Sequence, residues 1–232
     1  QVEIAGAAAL CTIPLTAVLF AKDRKLEKAC GIVPAEKTPF GRYWAVVLFG
    51  AVLSVGVTCL SSMAQAVMYD EQYQQTAESM YSASFPVQLL VMGVVIPAAE
   101  ELMFRGVMYK RYREKRKFWY AALWSSLFFA VTHTNNIQMA YAFFLGICLC
   151  WLYERFGSFK APLVLHISAN AASLILTESG AFGWLGAEPI RMAVAAVLCA
   201  FVCSSLFVLM QRMTEKEKAD ATDEKSDSMN MF

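Results

Sequence analysis

Long apolar runs alternate with short polar segments along the whole chain. A helix needs about twenty apolar residues to cross a hydrocarbon core of about 30 Å, and seven runs reach or approach that length. They cover residues 2–21, 43–68, 85–108, 118–133, 138–153, 162–176 and 189–210. The pattern predicts an all-α polytopic protein, a bundle of transmembrane helices.

The composition agrees with this class of protein. Of the 232 residues, 58% are hydrophobic, and the mean hydropathy is +0.46. These values exclude an ordinary soluble domain. The net charge is only +1, and the cations cluster between the apolar runs, so the charge distribution does not indicate nucleic acid as a partner. Membrane lipids are the partner that the apolar runs predict.

Lysine and arginine occupy every second polar segment. The segments after the first, third and fifth apolar runs, together with the C-terminal tail, hold 18 of the 20 cations. Because loops rich in Lys and Arg stay in the cytoplasm, we predict a multi-pass cell-membrane protein whose tail is cytoplasmic and whose residue 1 faces outside. Seven spans with an outside start predict one more helix before residue 1, eight in the full protein. The tail, residues 211–232, is polar and of mixed charge, and is predicted to be disordered.

Three ionisable side chains interrupt the third apolar run. Glu100, Glu101 and Arg105 lie within a predicted membrane span. A charge at the bilayer centre costs at least ~2.5 kcal/mol, and such residues usually mark a functional site. Glu101 and Arg105 are four residues apart and are predicted to pair on one helical face, whereas Glu100 is turned about 100° away. Pro97 removes a backbone donor one turn before Glu100 and is expected to bend the helix.

The two histidines of the chain lie in later apolar runs. Phe129 and His133 are four residues apart at the end of the fourth run. His166 and Asn170 are four apart on one face of the sixth. A lone intramembrane histidine can be a core residue that bonds to a neighbouring helix, but two of them beside the charged cluster favour a site.

The depth of these residues sets a condition. Glu100 lies ten residues before Lys110, about 15 Å, and His133 lies sixteen residues beyond Lys117, about 24 Å. The two side chains can meet only if the fourth helix tilts or if its boundaries differ from those of the apolar run.

Together these side chains can supply the parts of peptide hydrolysis, which needs an activated water and donors for the developing oxyanion. Glu100, partly desolvated, can act with His133 to hold and deprotonate the water. His166 and Asn170 can donate hydrogen bonds at the oxyanion position.

In this order the motifs resemble those of the CAAX-processing and bacteriocin-processing (CPBP, or Abi) intramembrane endopeptidases, which include the Ras-converting CAAX protease. Their pattern is EExxxR, FxxxH and HxxxN on successive membrane helices, present here from Glu100, Phe129 and His166. The resemblance covers residues 86–178 as a catalytic core and leaves 1–85 and 179–210 as divergent membrane helices. It implies about eight membrane helices around a polar cavity.

The resemblance also implies a role for each residue. Glu100 and His133 would activate water, and His166 and Asn170 would bind the oxyanion, with no metal or other cofactor. The supporting residues would be Glu101, Arg105 and Phe129. The implied substrate is a membrane-associated peptide or lipidated protein. The short loops are similar to the bacterial branch of the family, for which peptide maturation is expected rather than the processing of prenylated proteins.

Other functions remain open at this stage. Glu100, His133 and His166 are acceptable zinc ligands, which allows a metalloprotease, although no HExxH motif is present. A non-catalytic membrane scaffold or bacteriocin-immunity protein of the same fold is a second alternative. A transporter is a third, because intramembrane Glu and His also build proton relays.

Overall fold

The computed structural model describes residues 2–32, 37–133 and 135–229, with side chains as far as Glu215. Within these residues the chain is helical and contains no strand. The helices are α1 Val2–Ala29, α2 Tyr43–Met68, α3 Glu71–Tyr81, α4 Phe85–Lys115, α5 Phe118–Val131, α6 Asn136–Phe156, α7 Lys160–Glu178, α8 Ala181–Gly186 and α9 Pro189–Met229. The prediction of an all-α polytopic bundle is confirmed.

Each of the seven predicted runs forms a helix. In the described part of the chain, five helices are long and apolar enough to cross a membrane: α1, α2 with its preceding turn, α4, α6, and α9 as far as Glu215. Helix α5 is apolar but only 14 residues long. Helix α7 is more polar, since it carries His166 and Asn170, and it packs against α2, α4 and α6.

Small residues let the helices pack closely, as is common in membrane bundles. Helix α2 lies between α7 and α9, α1 runs along α4, and α5 packs on α6. A Cβ atom on Gly50 of α2 would overlap the Ser168 hydroxyl and lie 2.8 Å from the carbonyl oxygen of Leu165. On Gly146 of α6 it would lie 2.7 Å from Cβ of Ser126 in α5. These glycines let α7 pack closely against α2 and α5 closely against α6.

Two stretches of α4 are π-helical, Val91–Val95 and Leu102–Tyr109. They flank the turn that contains Pro97 and the adjacent glutamates. π-Helical turns often occur at functional sites in otherwise regular helices. The irregularity that Pro97 predicts is therefore accompanied by a wider helix on both sides of Glu100 and Glu101.

The first π-helical stretch leaves one carbonyl without a donor in its own helix. The N–H of Ile96 donates to the carbonyl of Val91, five residues back. The next bond in this register would join Pro97 to Met92, but proline has no N–H. Asn170 of α7 donates to the Met92 carbonyl instead, at 3.0 Å. A neighbouring helix thus satisfies the group that the proline leaves free, as membrane helices require.

Residues 69–84, the polar segment between the second and third apolar runs, contain the helix α3. The carboxylate of Asp70 accepts a hydrogen bond from the N–H of Tyr73 at 3.1 Å, so Asp70 is the N-cap of α3. At the other end, the amide of Gln88 donates to the carbonyls of Tyr81 and Ala83. The short helix is therefore capped at its start and fixed to α4 at its end.

The C-terminal tail begins as a continuation of the last membrane helix. Helix α9 runs from the membrane span to Met229, and residues 230–232 of the tail lie outside the described residues. The sequence of residues 211–229 is rich in Glu, Lys, Ala and Met, which have high helix propensity. At the start of this extension, Arg155 of α6 pairs with Glu215 at 3.1 Å.

Candidate active site

A cavity of about 320 Å³ lies among α4, α5, α6 and α7. Its lining includes the four residues that the sequence predicts to be catalytic, namely Glu100, His133, His166 and Asn170, and also Phe129. Helix α5 is about 21 Å long at 1.5 Å per residue, shorter than the hydrocarbon core. It ends at Val131, two residues before the apolar run does, and Glu100 and His133 line the same cavity. The condition set by the sequence is therefore met.

The pair predicted between Glu101 and Arg105 is present. The guanidinium lies 3.0 Å from the Glu101 carboxylate, and both side chains are 0% exposed. The ring of Phe129 covers the guanidinium, with 4.4 Å from its central carbon to the ring centroid. A buried arginine needs this kind of compensation, because an unpaired charge in the bundle would be very costly.

His166 joins the two glutamates, a contact that the sequence analysis did not predict. Its Nδ1 lies 2.8 Å from Oε1 of Glu101, and its Nε2 lies 3.7 Å from Oε2 of Glu100. A carboxylate only accepts hydrogen bonds, so Nδ1 carries the proton toward Glu101. The ring is thereby oriented, and Nε2 is the nitrogen that faces Glu100 and the cavity.

Glu100 and Glu101 differ in their access to the cavity. The side chain of Glu100 is 24% exposed and lines the cavity, whereas that of Glu101 is fully buried between Arg105 and His166. The 100° step between neighbouring helical positions produces this difference. Glu100 is therefore the carboxylate that can reach a water or a substrate.

His133 lies just beyond the end of α5. Its Nδ1 donates to the carbonyl of Phe129 at 3.1 Å, because a carbonyl oxygen can only accept. This bond fixes the tautomer of the neutral ring and leaves Nε2 as an acceptor. His133 lines the cavity. Among the described residues, however, the histidine that pairs with Glu100 is His166.

Phe129 lies at the centre of the group. Besides Arg105, its ring contacts His133 at 5.1 Å and His166 at 5.9 Å, both edge to face, and Phe104 at 5.3 Å. Such aromatic geometry is favourable and rigid. Phe129 therefore packs against both histidine rings.

Asn170 has only part of its donor capacity free. One N–H of its amide donates to the Met92 carbonyl, and a primary amide has two. The second N–H and the amide oxygen remain for the cavity that Asn170 lines. An amide is needed here, since a carboxylate would not donate to the carbonyl.

The structure adds residues to the site that the sequence analysis missed. Thr76 and Met80 of α3 line the same cavity, as do Gln138 and Tyr141 of α6. For α6 the available signal was two polar side chains at the start of an apolar run. For α3 no such signal exists, because its contact with the cavity depends on how the chain folds back.

The candidate ligand set Glu100, His133 and His166 does not form a compact cluster. Among the described residues, no group of three or more His, Cys, Asp or Glu side chains is arranged so that it could hold a metal ion.

Comparison with known proteins supports the resemblance over the central part of the chain. Residues 82–172 match the family described as type II CAAX prenyl endopeptidase Rce1-like. This segment contains all three motifs and runs from the end of α3 into α7. The recognition made from the motifs is confirmed for this segment.

Three curated bacterial proteins are similar to it. "Putative membrane peptidase YdiL" of Bacillus subtilis (strain 168) is 28% identical over 39% of this chain and 37% of its own length. An uncharacterized 24.3 kDa protein of Escherichia coli is 30% identical over 38% of this chain and 42% of its own. Protein YxdF of Lactococcus lactis subsp. lactis (strain IL1403) is 29% identical over 36% and 46%.

The chain thus matches less than half of the length of each of these relatives. No solved structure matches it. The helices agree with a multi-pass membrane location.

Proposed function

We propose that this Rce1-like membrane protein is an intramembrane endopeptidase that hydrolyses a peptide bond with water activated by Glu100, without a metal. The observation that carries the proposal is the contrast between the adjacent glutamates. Glu101 is locked between Arg105 and His166, whereas Glu100 is partly exposed in the cavity and faces Nε2 of His166. One carboxylate is structural and the other is available for chemistry.

In the first step Glu100 takes a proton from a water in the cavity. Nε2 of His133, whose other nitrogen is held by the Phe129 carbonyl, accepts the second hydrogen of that water in a hydrogen bond and orients it. The resulting hydroxide attacks the peptide carbonyl carbon, and a C–O bond forms. General-base catalysis of this kind contributes about 10²-fold to 10⁴-fold.

In the second step the carbonyl oxygen becomes an oxyanion and needs donors. The free N–H of Asn170 is one, and an N–H at Nε2 of His166, whose ring Glu101 orients, is the other. Glu100 then returns its proton to the leaving nitrogen as the C–N bond breaks. The products are a carboxylic acid and an amine, and the enzyme returns to its starting state.

The proposal includes the setting of the reaction. The distribution of cations supports a cytoplasmic location for the C-terminal tail and for the basic segment 110–117,. The substrate is a membrane-associated peptide or lipidated protein, since the site lies inside the helix bundle. Maturation of a secreted or membrane-bound peptide is the reaction class that we favour.

The test is cleavage of a defined library of synthetic peptides by the purified protein, read by mass spectrometry. Glu100→Gln keeps the shape of the side chain but removes the base, so we expect loss of cleavage with an unchanged melting temperature. Glu178→Gln, at an exposed position in the last turn of α7, is the matched control and should cleave normally. Full activity of Glu100→Gln would overturn the assignment.

The same assay distinguishes carboxylate from metal chemistry. EDTA or phenanthroline should leave cleavage unchanged. Inactivation by a chelator that zinc reverses, with bound zinc lost in His133→Ala and His166→Ala, would instead support the zinc site considered for Glu100, His133 and His166.

A further inference from the structure

Helix α3 lies against the catalytic cavity. Thr76 and Met80 from its inner face line the cavity that contains Glu100. Next to it is a second cavity of about 190 Å³, which α3 lines with Tyr73, Thr76, Ala77, Met80 and Tyr81. The two cavities share Met92, Gln138, Tyr141 and Asn170. The space around Glu100 therefore continues along α3.

The position of α3 is fixed by polar contacts at both ends. Asp70 caps the helix with one carboxylate oxygen and accepts from the N–H of Asn136, the first residue of α6, with the other, at 3.1 Å. Gln88 of α4 holds the last turn through the carbonyl of Tyr81. These bonds fasten α3 to α6 and to α4. Its inner face is therefore a defined wall of the cavity.

The lining of the two cavities is polar but almost uncharged. Hydroxyl and amide groups come from Thr76, Gln138, Tyr141 and Asn170. Among the residues that line them, none is Lys or Arg, and Glu100 is the one carboxylate. Such a surface fits an uncharged stretch of peptide, whose backbone can bond to the amides and hydroxyls. It offers no lysine or arginine to a terminal carboxylate.

We propose that α3 forms part of the substrate-binding site, with Thr76 and Met80 as specificity-determining residues that contact an uncharged peptide segment beside the scissile bond. This rests on the proposed function. Because α3 joins the end of α2 to the start of α4, the substrate reaches Glu100 from the end of the bundle opposite the basic segment 110–117.

The experiment uses the purified protein and the same synthetic peptide library, and compares the residues that flank each cleaved bond. Thr76→Trp fills the space beside Glu100, and Met80→Ala enlarges it. Either should change the relative cleavage of peptides with small and large flanking residues by about tenfold or more, as is typical when a pocket gains or loses methylene-sized volume. Gln74→Trp, on the exposed face of the same helix, is the matched control and should keep the wild-type profile.

A variant that fails to fold would not decide the matter, so a third measurement uses Thr76→Cys. A membrane-impermeant thiol reagent added from outside intact cells should block cleavage by Thr76→Cys, and should leave the wild type and Gln74→Cys active. Cleavage that depends on Glu100 but whose profile and reagent sensitivity are the same in all Thr76 and Met80 variants would overturn this inference alone. Absence of cleavage by the wild type would overturn the proposed function and this inference with it.

Discussion

Glu100 and Glu101 are adjacent in sequence but are placed for different tasks. Glu101 accepts hydrogen bonds from Arg105 and His166 within a fully buried cluster. Glu100, one helical step further round, keeps contact with the cavity. In the proposed mechanism the reactive carboxylate of Glu100 needs a neighbour of fixed orientation. Glu101 provides it, because it orients the ring of His166, whose Nε2 lies 3.7 Å from Glu100.

Arg105→Ala should therefore unfold the protein rather than only inactivate it. The substitution removes the partner of a fully buried carboxylate, and breaking a buried pair costs about 3–5 kcal/mol. We expect low accumulation and a clearly lower melting temperature, measured by thermal unfolding in detergent.

Arg111→Ala is the matched control for this prediction. Arg111 pairs with Asp23 at 2.8 Å, but its side chain is 49% exposed, and exposed pairs contribute about 0–1 kcal/mol. If Arg105→Ala accumulates and melts like Arg111→Ala and is merely inactive, Arg105 acts in catalysis and its structural role is wrong.

At the scale of elements, Pro97 of α4 and Asn170 of α7 form a compensating pair. The proline leaves the Met92 carbonyl without a donor in its own helix, and the asparagine supplies one at 3.0 Å. Asn170 is thus a packing element of the bundle as well as a lining residue of the cavity. Its two tasks can be separated by measuring stability and cleavage independently.

A double-mutant cycle tests this pair. Asn170→Ala should lower the free energy of unfolding by about 1–3 kcal/mol, the cost of an unsatisfied buried carbonyl. In a Pro97→Ala background the backbone supplies the missing N–H, so the same substitution should cost at least 0.5 kcal/mol less, roughly the lower limit for coupled residues. Additive effects, measured by denaturant unfolding, would show that the two residues are independent.

The elements also show where sequence reasoning succeeds and where it ends. Apolar run length is a local signal, so it located the helices that the seven apolar runs form. Helix α3 carries too few apolar residues for that signal, although Asp70 as N-cap and the spacing of Tyr73, Ala77 and Tyr81 could have indicated a helix. The bond between His166 and Glu101 depends on how α7 packs against α4, and no local pattern encodes that packing.

At the scale of the whole molecule, the charge distribution predicts the orientation of the bundle. Cysteines introduced at Lys115 and at Glu78 should differ in intact cells, where a membrane-impermeant reagent should label position 78 and not position 115. The unsubstituted protein is the control, because Cys11 and Cys30 are exposed. Labelling at position 115 in intact cells would show that the orientation is the reverse of the predicted one.

The general plan of the molecule follows from its sequence, whereas the details of the site do not. The three motifs identified the residues that meet in the cavity, because EExxxR, FxxxH and HxxxN lie on helices that pack together. The continuation of α9 to Met229 has no counterpart in the apolar pattern, because a polar composition excludes a membrane span without excluding a helix. The participation of α3 in the cavity depends on tertiary contacts such as Asp70 with Asn136.

The segment around α3 carries Asp70, Glu71 and Glu78 and neither Lys nor Arg between residues 69 and 84. An acidic rim beside a low-dielectric cavity concentrates cations, and such steering raises association rates by about 10-fold to 10³-fold at low ionic strength.

A peptide with lysines distant from the cleaved bond should therefore show a KM that rises with added KCl, as the screening length falls below about 10 Å. The KM of the same peptide with glutamines in place of those lysines should stay constant, and equal salt dependence for both would exclude steering. If the KM of only the lysine peptide depends on salt, the acidic rim favours peptides that bear positive charge outside the segment bound in the cavity.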